Sequence, residues 1–420
     1  MNTTNDMQNT FYGKIEENGH LTIEQGVTEI GDYAFRGREE LTKVYIPDSV
    51  KKIGHYAFEY CSKLKEITIP DSVKEIGNFV FAGCTSLINF TVDNNNPSYC
   101  SVDGVLLNKS KTKIICYPGG REGEYIIPDS VTEIGDYAFE DCPGLNEITI
   151  PGGVTKIEDR AFEHCTKLKN INVDKDNPKY CSVDGILFDK DKTTIVCYPG
   201  GREGEYTIPD SVTKIDGWAF ISCKGLTKVT IPCSVTEIRD YAFVFCNELQ
   251  NLIVDKNNPK YYSIDGVVFN KDENTIHFSD DGILLCEKET TIVCYPGGRN
   301  EEYTIPDGVT KIGLGSFFGC IGLTGITIPD SVTEIRDYAF EFCARVTGVN
   351  IPDSVKRIGM GAFENCVGLT RVTIPDSVTE IGDIAFRNCI RLTEINIPDS
   401  VKVIGKNVFE GCKGLTIQRV

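Results

Sequence analysis

The chain has 420 residues, of which 40% are hydrophobic and 25% are charged, proportions typical of a soluble protein. With 61 acidic and 43 basic residues its net charge is −18, which disfavours nucleic acid and anionic membrane surfaces as partners and favours basic partners at low salt. No apolar run approaches the length of a membrane span, so we predict no membrane insertion.

The first residues, MNTTNDMQNTFYGKIEENG, have neither the basic start nor the apolar stretch of a signal peptide. A removed leader, unconventional export and a cytoplasmic location therefore all stay open. Glu17-Asn18-Gly19 predicts a hairpin turn ahead of the first regular segment. We predict an N-terminal cap over residues 1–20 and one continuous solenoid over residues 21–420.

One segment of 23 residues is repeated with small changes along the chain, and a fixed period of this length is typical of a solenoid. In the copy that begins at Val372, Val372 and Ile374 alternate with Thr373, which predicts a short strand with one buried face. Pro375 ends that strand at a turn. Asp383 then predicts the cap of a helical turn whose inward residues are Ala385, Phe386 and Cys389. Each coil buries its apolar side chains by stacking on its neighbours.

The repeat reads I-P-x-S-V-x-x-I-x-x-x-A-F-x-x-C-x-x-L, and its L-x-x-V-x-I step matches the leucine-rich repeat core. It resembles the BspA-type (Treponema pallidum-like) leucine-rich repeat over nearly the whole chain. The expected fold is an α/β solenoid, a right-handed superhelix with a concave parallel sheet and short helical turns on the other side. The resemblance implies a cell-surface or secreted protein that binds ligands, often by adhesion to host matrix proteins, and it brings no catalytic residues.

Three coils depart from the standard length, and they cover residues 90–124, 171–205 and 252–302. In the first of them Ser101 to Asn108 and Thr112 to Tyr117 predict two strands of a β-hairpin that replaces the helical turn. The third long coil repeats this half-unit and predicts a second hairpin. Each of the twelve standard coils carries a phenylalanine of a common spine, which ends at Phe409. With the three long coils, the predicted total is about fifteen coils.

Outward strand positions are mostly threonine, which indicates either simple β-propensity or a ligand-binding face with little charge. Tyr45, Ile126 and Ile253 depart from threonine, and apolar or aromatic residues are the better candidates for binding hot spots. Each long coil also carries Tyr-Pro-Gly-Gly-Arg, which is either an exposed recognition turn or a structural turn. The further candidate protein-binding residues are Tyr117, Arg121, Tyr198, Arg202, Tyr295 and Arg299.

Eleven of the 18 cysteines occupy one inward repeat position, which predicts buried thiols. Cys100 with Cys116, and Cys181 with Cys197, could bridge the long-coil hairpins, but Tyr262 stands where the third long coil would need a partner for Cys294. Cys233 interrupts the motif after a proline, and we expect it to be the most exposed thiol. Asn96-Pro97-Ser98-Tyr99 matches an N-P-x-Y recognition peptide, but its recurrence in every long coil indicates a turn.

No metal-binding spacing, nucleophile motif or phosphate loop stands apart from the repeat, so we predict no catalytic residue, no metal and no cofactor. The favoured hypothesis is a non-enzymatic, adhesin-like cell-surface scaffold that binds a protein, plausibly of the host matrix, through its concave face and hairpin loops. The alternatives are an intracellular interaction scaffold and a structural surface component that self-associates through its C-terminal edge.

Overall fold

The structure is a computed structural model that describes residues 13–271, 276–278, 284–286 and 290–420. The chain divides into two compact units, residues 1–185 and 186–420. Each unit is built from turns of a β-solenoid. Along the described residues the regular elements are all strands, and no helix is found.

In the first unit the coils contribute parallel strands with alternating inward and outward side chains, which form two hydrogen-bonded sheets and are together called the main sheet. Its strands are His20–Ile23, Lys43–Tyr45, Glu66–Ile69 and Asn89–Val92, then Gly123–Ile126, Leu145–Ile150 and Asn170–Val173. A second series of parallel strands, called the second sheet, also divides in two: Glu29–Ile30, Lys52–Ile53 and Glu75–Ile76 form one hydrogen-bonded sheet, and Lys113–Cys116, Glu133–Ile134 and Lys156–Ile157 belong to another. The strand Gly13–Ile15 pairs antiparallel with His20–Ile23, which confirms the predicted hairpin turn.

The second unit repeats this arrangement, and its main-sheet and second-sheet strands again divide into separate hydrogen-bonded sheets. Its main-sheet strands are Glu203–Thr207, Gly225–Ile231, Asn251–Val254, Glu302–Thr304, Gly325–Thr327, Gly348–Asn350, Arg371–Thr373, Glu394–Ile397 and Thr416–Arg419. Its second-sheet strands are Thr194–Cys197, Lys214–Ile215, Glu237–Ile238, Thr290–Cys294, Val309–Ile312, Glu334–Ile335, Arg357–Ile358, Glu380–Ile381 and Val403–Ile404.

The long coils contain the predicted hairpins, but with one strand more than the sequence analysis gave them. Tyr99–Val102 pairs antiparallel with Val105–Asn108, which pairs in turn with Lys113–Cys116. The single strand predicted for Ser101 to Asn108 is wrong, because Asp103 and Gly104 have φ of 47° and 71° and form a tight turn of the hairpin type. The remaining hairpin strands are Tyr180–Val183, Ile186–Asp189, Tyr261–Ile264 and Val267–Asn270.

The second hairpin predicted for the third long coil is confirmed. Ile276–Phe278 pairs antiparallel with Leu284–Cys286. The residues that join these two strands lie outside the described part of the chain.

The predicted helical turns are wrong, and hydrogen bonding explains why. The amides of Ile384 and Phe386 donate to carbonyls of the following coil, to Lys406 O at 2.8 Å and to Val408 O at 3.0 Å. A helix would use these amides within itself and leave no bond to link the coils. Positive φ values at Ile384 and at Asn388 interrupt the helical path between them. Asp383 accordingly accepts from the amide of Lys406, 2.6 Å away in the next coil, and caps no helix.

The number of turns also differs from the prediction, at about 17 instead of 15. The strand Gly13–Ile15 comes before the first predicted coil, and Thr416–Arg419 comes after the last one. Both strands pair with main-sheet strands and extend the stack.

The interior is lined by the phenylalanine spine and the repeated cysteines, as predicted. Neighbouring rings stack almost parallel, with 5.3 Å between the centroids of Phe363 and Phe386. Ten of the eleven repeat cysteines are buried, Cys412 being partly exposed. The Cys61 thiol donates to the carbonyl of Phe35 in the preceding coil, 3.2 Å away, and burial raises its pKa to about 12. Each such thiol is thus both a small apolar group and a bridge between coils.

The other cysteines behave largely as expected. Cys233 is exposed, and among the described cysteines it alone is. Cys100 and Cys116 form no disulfide with each other. Their thiols donate to backbone carbonyls, those of Asn108 at 3.2 Å and Tyr117 at 3.5 Å.

The N-P-x-Y motif is a structural turn, as its recurrence predicts. Asn96 is fully buried, and its side-chain amide donates to the carbonyls of Pro70 and Val73, at 2.7 and 2.9 Å. Its side-chain oxygen accepts from the amides of Ser98 and Tyr99, at 2.9 and 2.8 Å. Asn177 and Asn258 make the same four bonds in the other long coils.

Replacing Asn96 with alanine should destabilise the first long coil by about 3 kcal/mol or more, because two buried carbonyls and two partly buried amides lose their partner, and each loss in a buried site costs about 1–3 kcal/mol before relaxation. Urea unfolding followed by circular dichroism measures the change. Asn95→Ala is the matched control, since Asn95 is an exposed neighbour in the same turn. Equal stability of the two variants would contradict this role.

Candidate protein-binding surfaces

The outward face of the main sheet presents three of the predicted contact residues to solvent. Ile126 is 72% exposed, Tyr45 is 46% exposed and Ile253 is 41% exposed. Within their strands the inward neighbours of Tyr45 and Ile253 are buried, and Ile126 lies between half-buried Tyr125 and buried Ile127. The Lys43 ammonium lies 5.1 Å from the centre of the Tyr45 ring. The structure therefore makes these side chains available, and their part in binding stays a prediction.

The tyrosines of the Tyr-Pro-Gly-Gly-Arg turns are not surface residues, which corrects their place among the candidates. Tyr117, Tyr198 and Tyr295 are only 3%, 4% and 2% exposed. The Tyr117 ring lies 5.1 Å from that of Phe139, centre to centre, and so continues the phenylalanine spine through a coil that has no spine phenylalanine. Burial raises the pKa of Tyr117 to about 12. These rings stabilise the core and cannot contact a partner.

Two arginines of the same turns, Arg121 and Arg299, hold the hairpins against the main sheet. The Nε groups of Arg121 and Arg299 donate to the carbonyls of Ile88 and Gln250, at 2.8 and 3.0 Å. Arg299 also donates to the carbonyl of Asp265 in the hairpin turn. The guanidinium carbons of Arg121, Arg202 and Arg299 lie 5.7 to 5.9 Å from the centres of their tyrosine rings. This geometry supports the structural alternative for the turn.

A ladder of aromatic side chains on the outer turns went unnoticed in the sequence. In the first unit Tyr33, Tyr56 and Phe79 stack with centroid distances of 4.8 and 4.5 Å. All three have φ near +58°, a region that non-glycine residues seldom adopt. In the second unit Trp218 and Tyr241 stack at 4.3 Å. The signal was available, because an aromatic residue directly precedes six of the nine Ala-Phe pairs, and Phe79 holds the same position before Val80-Phe81.

Each unit also contains a cleft beside a long coil, and the sequence analysis predicted neither. The first cleft has a volume of about 220 Å³ and is lined by Phe79, Phe81, Lys113, Cys116, Tyr137 and Glu140. The second cleft has a volume of about 260 Å³ and is lined at the corresponding positions by Tyr241, Phe243, Thr291, Cys294, Gly315 and Phe318. The two clefts thus share a cysteine and differ in charge.

The clefts form because a long coil has no outer turn. In a standard coil the amides of Tyr56 and Phe58 donate to the next coil, to Asn78 O and Val80 O, both at 3.0 Å. The corresponding amides of Phe79 and Phe81 face the long coil and have no hydrogen-bond acceptor among the described residues. The first cleft occupies the space that the outer turn of a standard coil would fill.

A family model decides the identity of the repeat. The model of the BspA type leucine rich repeat region matches residues 7–104, 123–183, 203–280 and 293–416, with six copies. This chain belongs to the BspA-type leucine-rich repeat family. The gaps in the match fall largely on the long-coil hairpins. BspA-type proteins are typically cell-surface proteins, and leucine-rich repeats are generally non-catalytic scaffolds for protein–protein interaction.

Several solved structures resemble this BspA-type chain. A leucine rich cell surface protein from Faecalibacterium prausnitzii A2-165 is 28% identical, with 96% of this chain and 87% of that chain covered and a TM-score of 0.46. A leucine-rich repeat protein from Eubacterium ventriosum is 20% identical, with 94% and 91% covered and a TM-score of 0.40. The T. pallidum leucine rich repeat protein is 24% identical, with 57% and 87% covered and a TM-score of 0.30.

No curated protein sequence matches the chain. Over the described residues, there is no helix with the length and hydrophobicity that crossing a membrane requires.

Proposed function

We propose that this BspA-type protein is a non-enzymatic scaffold at the cell surface or in secreted form, where it binds host or matrix proteins in the manner of an adhesin. The observation that carries the proposal is the exposure of Ile126 on the outward face of the main sheet. A large apolar side chain that is 72% exposed on a regular strand gains nothing from folding, but it gains burial on binding. The family's typical cell-surface place supports the proposal.

Tyr45 and Ile253 extend the proposed contact face beyond Ile126. They lie in other strands of the same kind of sheet, where Tyr45 is paired with Thr22 and Ile253 with Thr230. Separate apolar anchors within a polar surface are typical of protein–protein interfaces. Arg121, Arg202 and Arg299 stay candidates at the edge of the hairpins, although hydrogen bonds already give Arg121 and Arg299 a structural role. Binding would be distributed over several coils.

The triple variant Tyr45→Ser, Ile126→Ser, Ile253→Ser should lower affinity for a matrix protein at least tenfold, because each hot-spot truncation typically costs more than about 1 kcal/mol. Binding of the purified chain to fibronectin and to fibrinogen, measured by surface plasmon resonance, tests this. The matched control is Thr22→Ser, Thr91→Ser, Thr207→Ser, which changes exposed residues of the same face. Equal affinities of both triple variants would remove the main sheet from the interface.

The alternative to a cell-surface protein is an intracellular scaffold. Mild protease treatment of intact source cells should release peptides of the exposed hairpins, since protease reaches only proteins outside the membrane. Mass spectrometry identifies them. Release that occurs only after lysis would place the protein inside the cell and contradict adhesion.

A second candidate function is self-association through the strand Thr416–Arg419. Its side chains are exposed, with Ile417 at 48%, which favours an apolar contact with a second copy. Ile417→Asp should then lower the mass measured by light scattering across a concentration series. A wild-type protein that stays monomeric throughout would exclude this candidate.

A further inference from the structure

Glu140, in the wall of the first cleft, differs from the carboxylates around it. Three other carboxylates lie within electrostatic reach of it, and each of these has a basic side chain beside it. The pairs are Glu59 with Arg36, Asp141 with His164 at 3.2 Å, and Glu163 with Arg160 at 3.7 Å. Glu140 has no ion pair in the described structure, and its Oε2 atom is buried without a hydrogen bond. One carboxyl group of the cluster therefore lacks its counterion.

The environment of Glu140 keeps its carboxyl group protonated at neutral pH. Burial is the largest cause, and the charges of Glu163, Asp141 and Glu59 act in the same direction. Arg160 opposes them but already neighbours Glu163. Burial and the three carboxylates outweigh Arg160 and raise the pKa of Glu140 to about 9. A buried carboxyl group of this kind becomes a carboxylate when a cation is brought to it.

The rest of the cleft offers the other groups that an extended basic peptide needs. The unpaired amides of Phe79 and Phe81 can donate to peptide carbonyls. The rings of Phe79 and Tyr137, with centroids 3.7 Å apart, form an aromatic wall. Guanidinium groups stack on aromatic rings and also pair with carboxylates, which makes arginine the better match. The net charge of −18 draws a basic segment to the protein.

We propose that the first cleft receives an arginine side chain from an extended segment of a protein partner, with the carboxylate of Glu140 as its counterion. This inference rests on the proposed function as a protein-binding scaffold and names the chemistry of one partner segment. The second cleft has Phe318 in place of Glu140, so it does not take a cation at this position.

The proposal predicts that binding is coupled to proton release. In the free protein the pKa of Glu140 lies above neutrality, and the arginine lowers it. Below a pH of about 9 the arginine must therefore displace one proton, and its affinity rises with pH by up to roughly tenfold per pH unit. Above that pH the dependence disappears, because the carboxyl group is already ionised.

Calorimetric titration of the full chain with an acetylated, amidated tetra-arginine peptide at pH 6, 7 and 8 and physiological salt tests this. The tetra-citrulline peptide is the uncharged control with nearly the same shape. The expected result is binding of the arginine peptide that strengthens about tenfold per pH unit, with much weaker binding of the citrulline peptide. Glu140→Gln, which keeps the size of the side chain, should bind more weakly and lose the pH dependence.

Glu124→Gln is the matched variant, because it removes one exposed carboxylate of the same unit outside the cleft. It should behave as the wild type does. Equal affinity and pH dependence in Glu140→Gln, equal binding of citrulline, or no binding of the arginine peptide would each overturn the proposal. None of these outcomes tests the main-sheet interface, which the triple variant of Tyr45, Ile126 and Ile253 tests separately. Failure of the cleft proposal and failure of the scaffold function are therefore distinguishable.

Discussion

The backbone hydrogen bond from one coil to the next is the interaction on which the rest of the structure depends. On the outer turns it replaces the helix that the sequence predicts, as the amides of Tyr56 and Phe58 show. Side chains follow the same rule, because the Cys61 thiol bonds to the carbonyl of the preceding coil and Asp383 to the amide of the following one. A coil alone would leave these groups unpaired and its apolar face uncovered. Stability therefore belongs to neighbouring coils together.

The long coils interrupt this pattern of bonds at the outer turn, and in other parts of the coil they replace it with side-chain contacts. Asn96 replaces backbone partners with its own amide, and Tyr117 continues the row of buried rings. Nothing replaces the outer turn itself, so the amides of Phe79 and Phe81 open into a cleft. The main sheet offers apolar anchors, whereas the first cleft offers a buried carboxyl group.

Much of the fold could be predicted, because the positions at which apolar residues recur in the repeat indicate which side chains are buried. The alternation around Val372, the phenylalanine spine and the cysteine position follow from periodicity, and the recurrence of Asn96 in every long coil distinguishes a turn from a recognition peptide. The outer turns could not be predicted in this way, since the spacing of Ala385, Phe386 and Cys389 is the same for a helix and for an arc bonded to its neighbour. Tyr117 was misplaced because its motif resembles a surface turn, although its ring takes the place of a phenylalanine. The clefts form because a long coil has no outer turn, and the absence of a turn leaves no motif in the sequence.

The most direct test of this account is hydrogen exchange of the free protein, resolved to single amides by mass spectrometry with electron-transfer fragmentation. The account predicts slow exchange at Tyr56 and Phe58, whose amides donate to the next coil, and fast exchange at Phe79 and Phe81 in the equivalent positions. Fast exchange at Phe81 would be informative because its side chain is buried, so poor packing cannot explain it. Equal protection of the four amides would mean that the space of the absent outer turn is filled and that the cleft is closed, which would contradict the account.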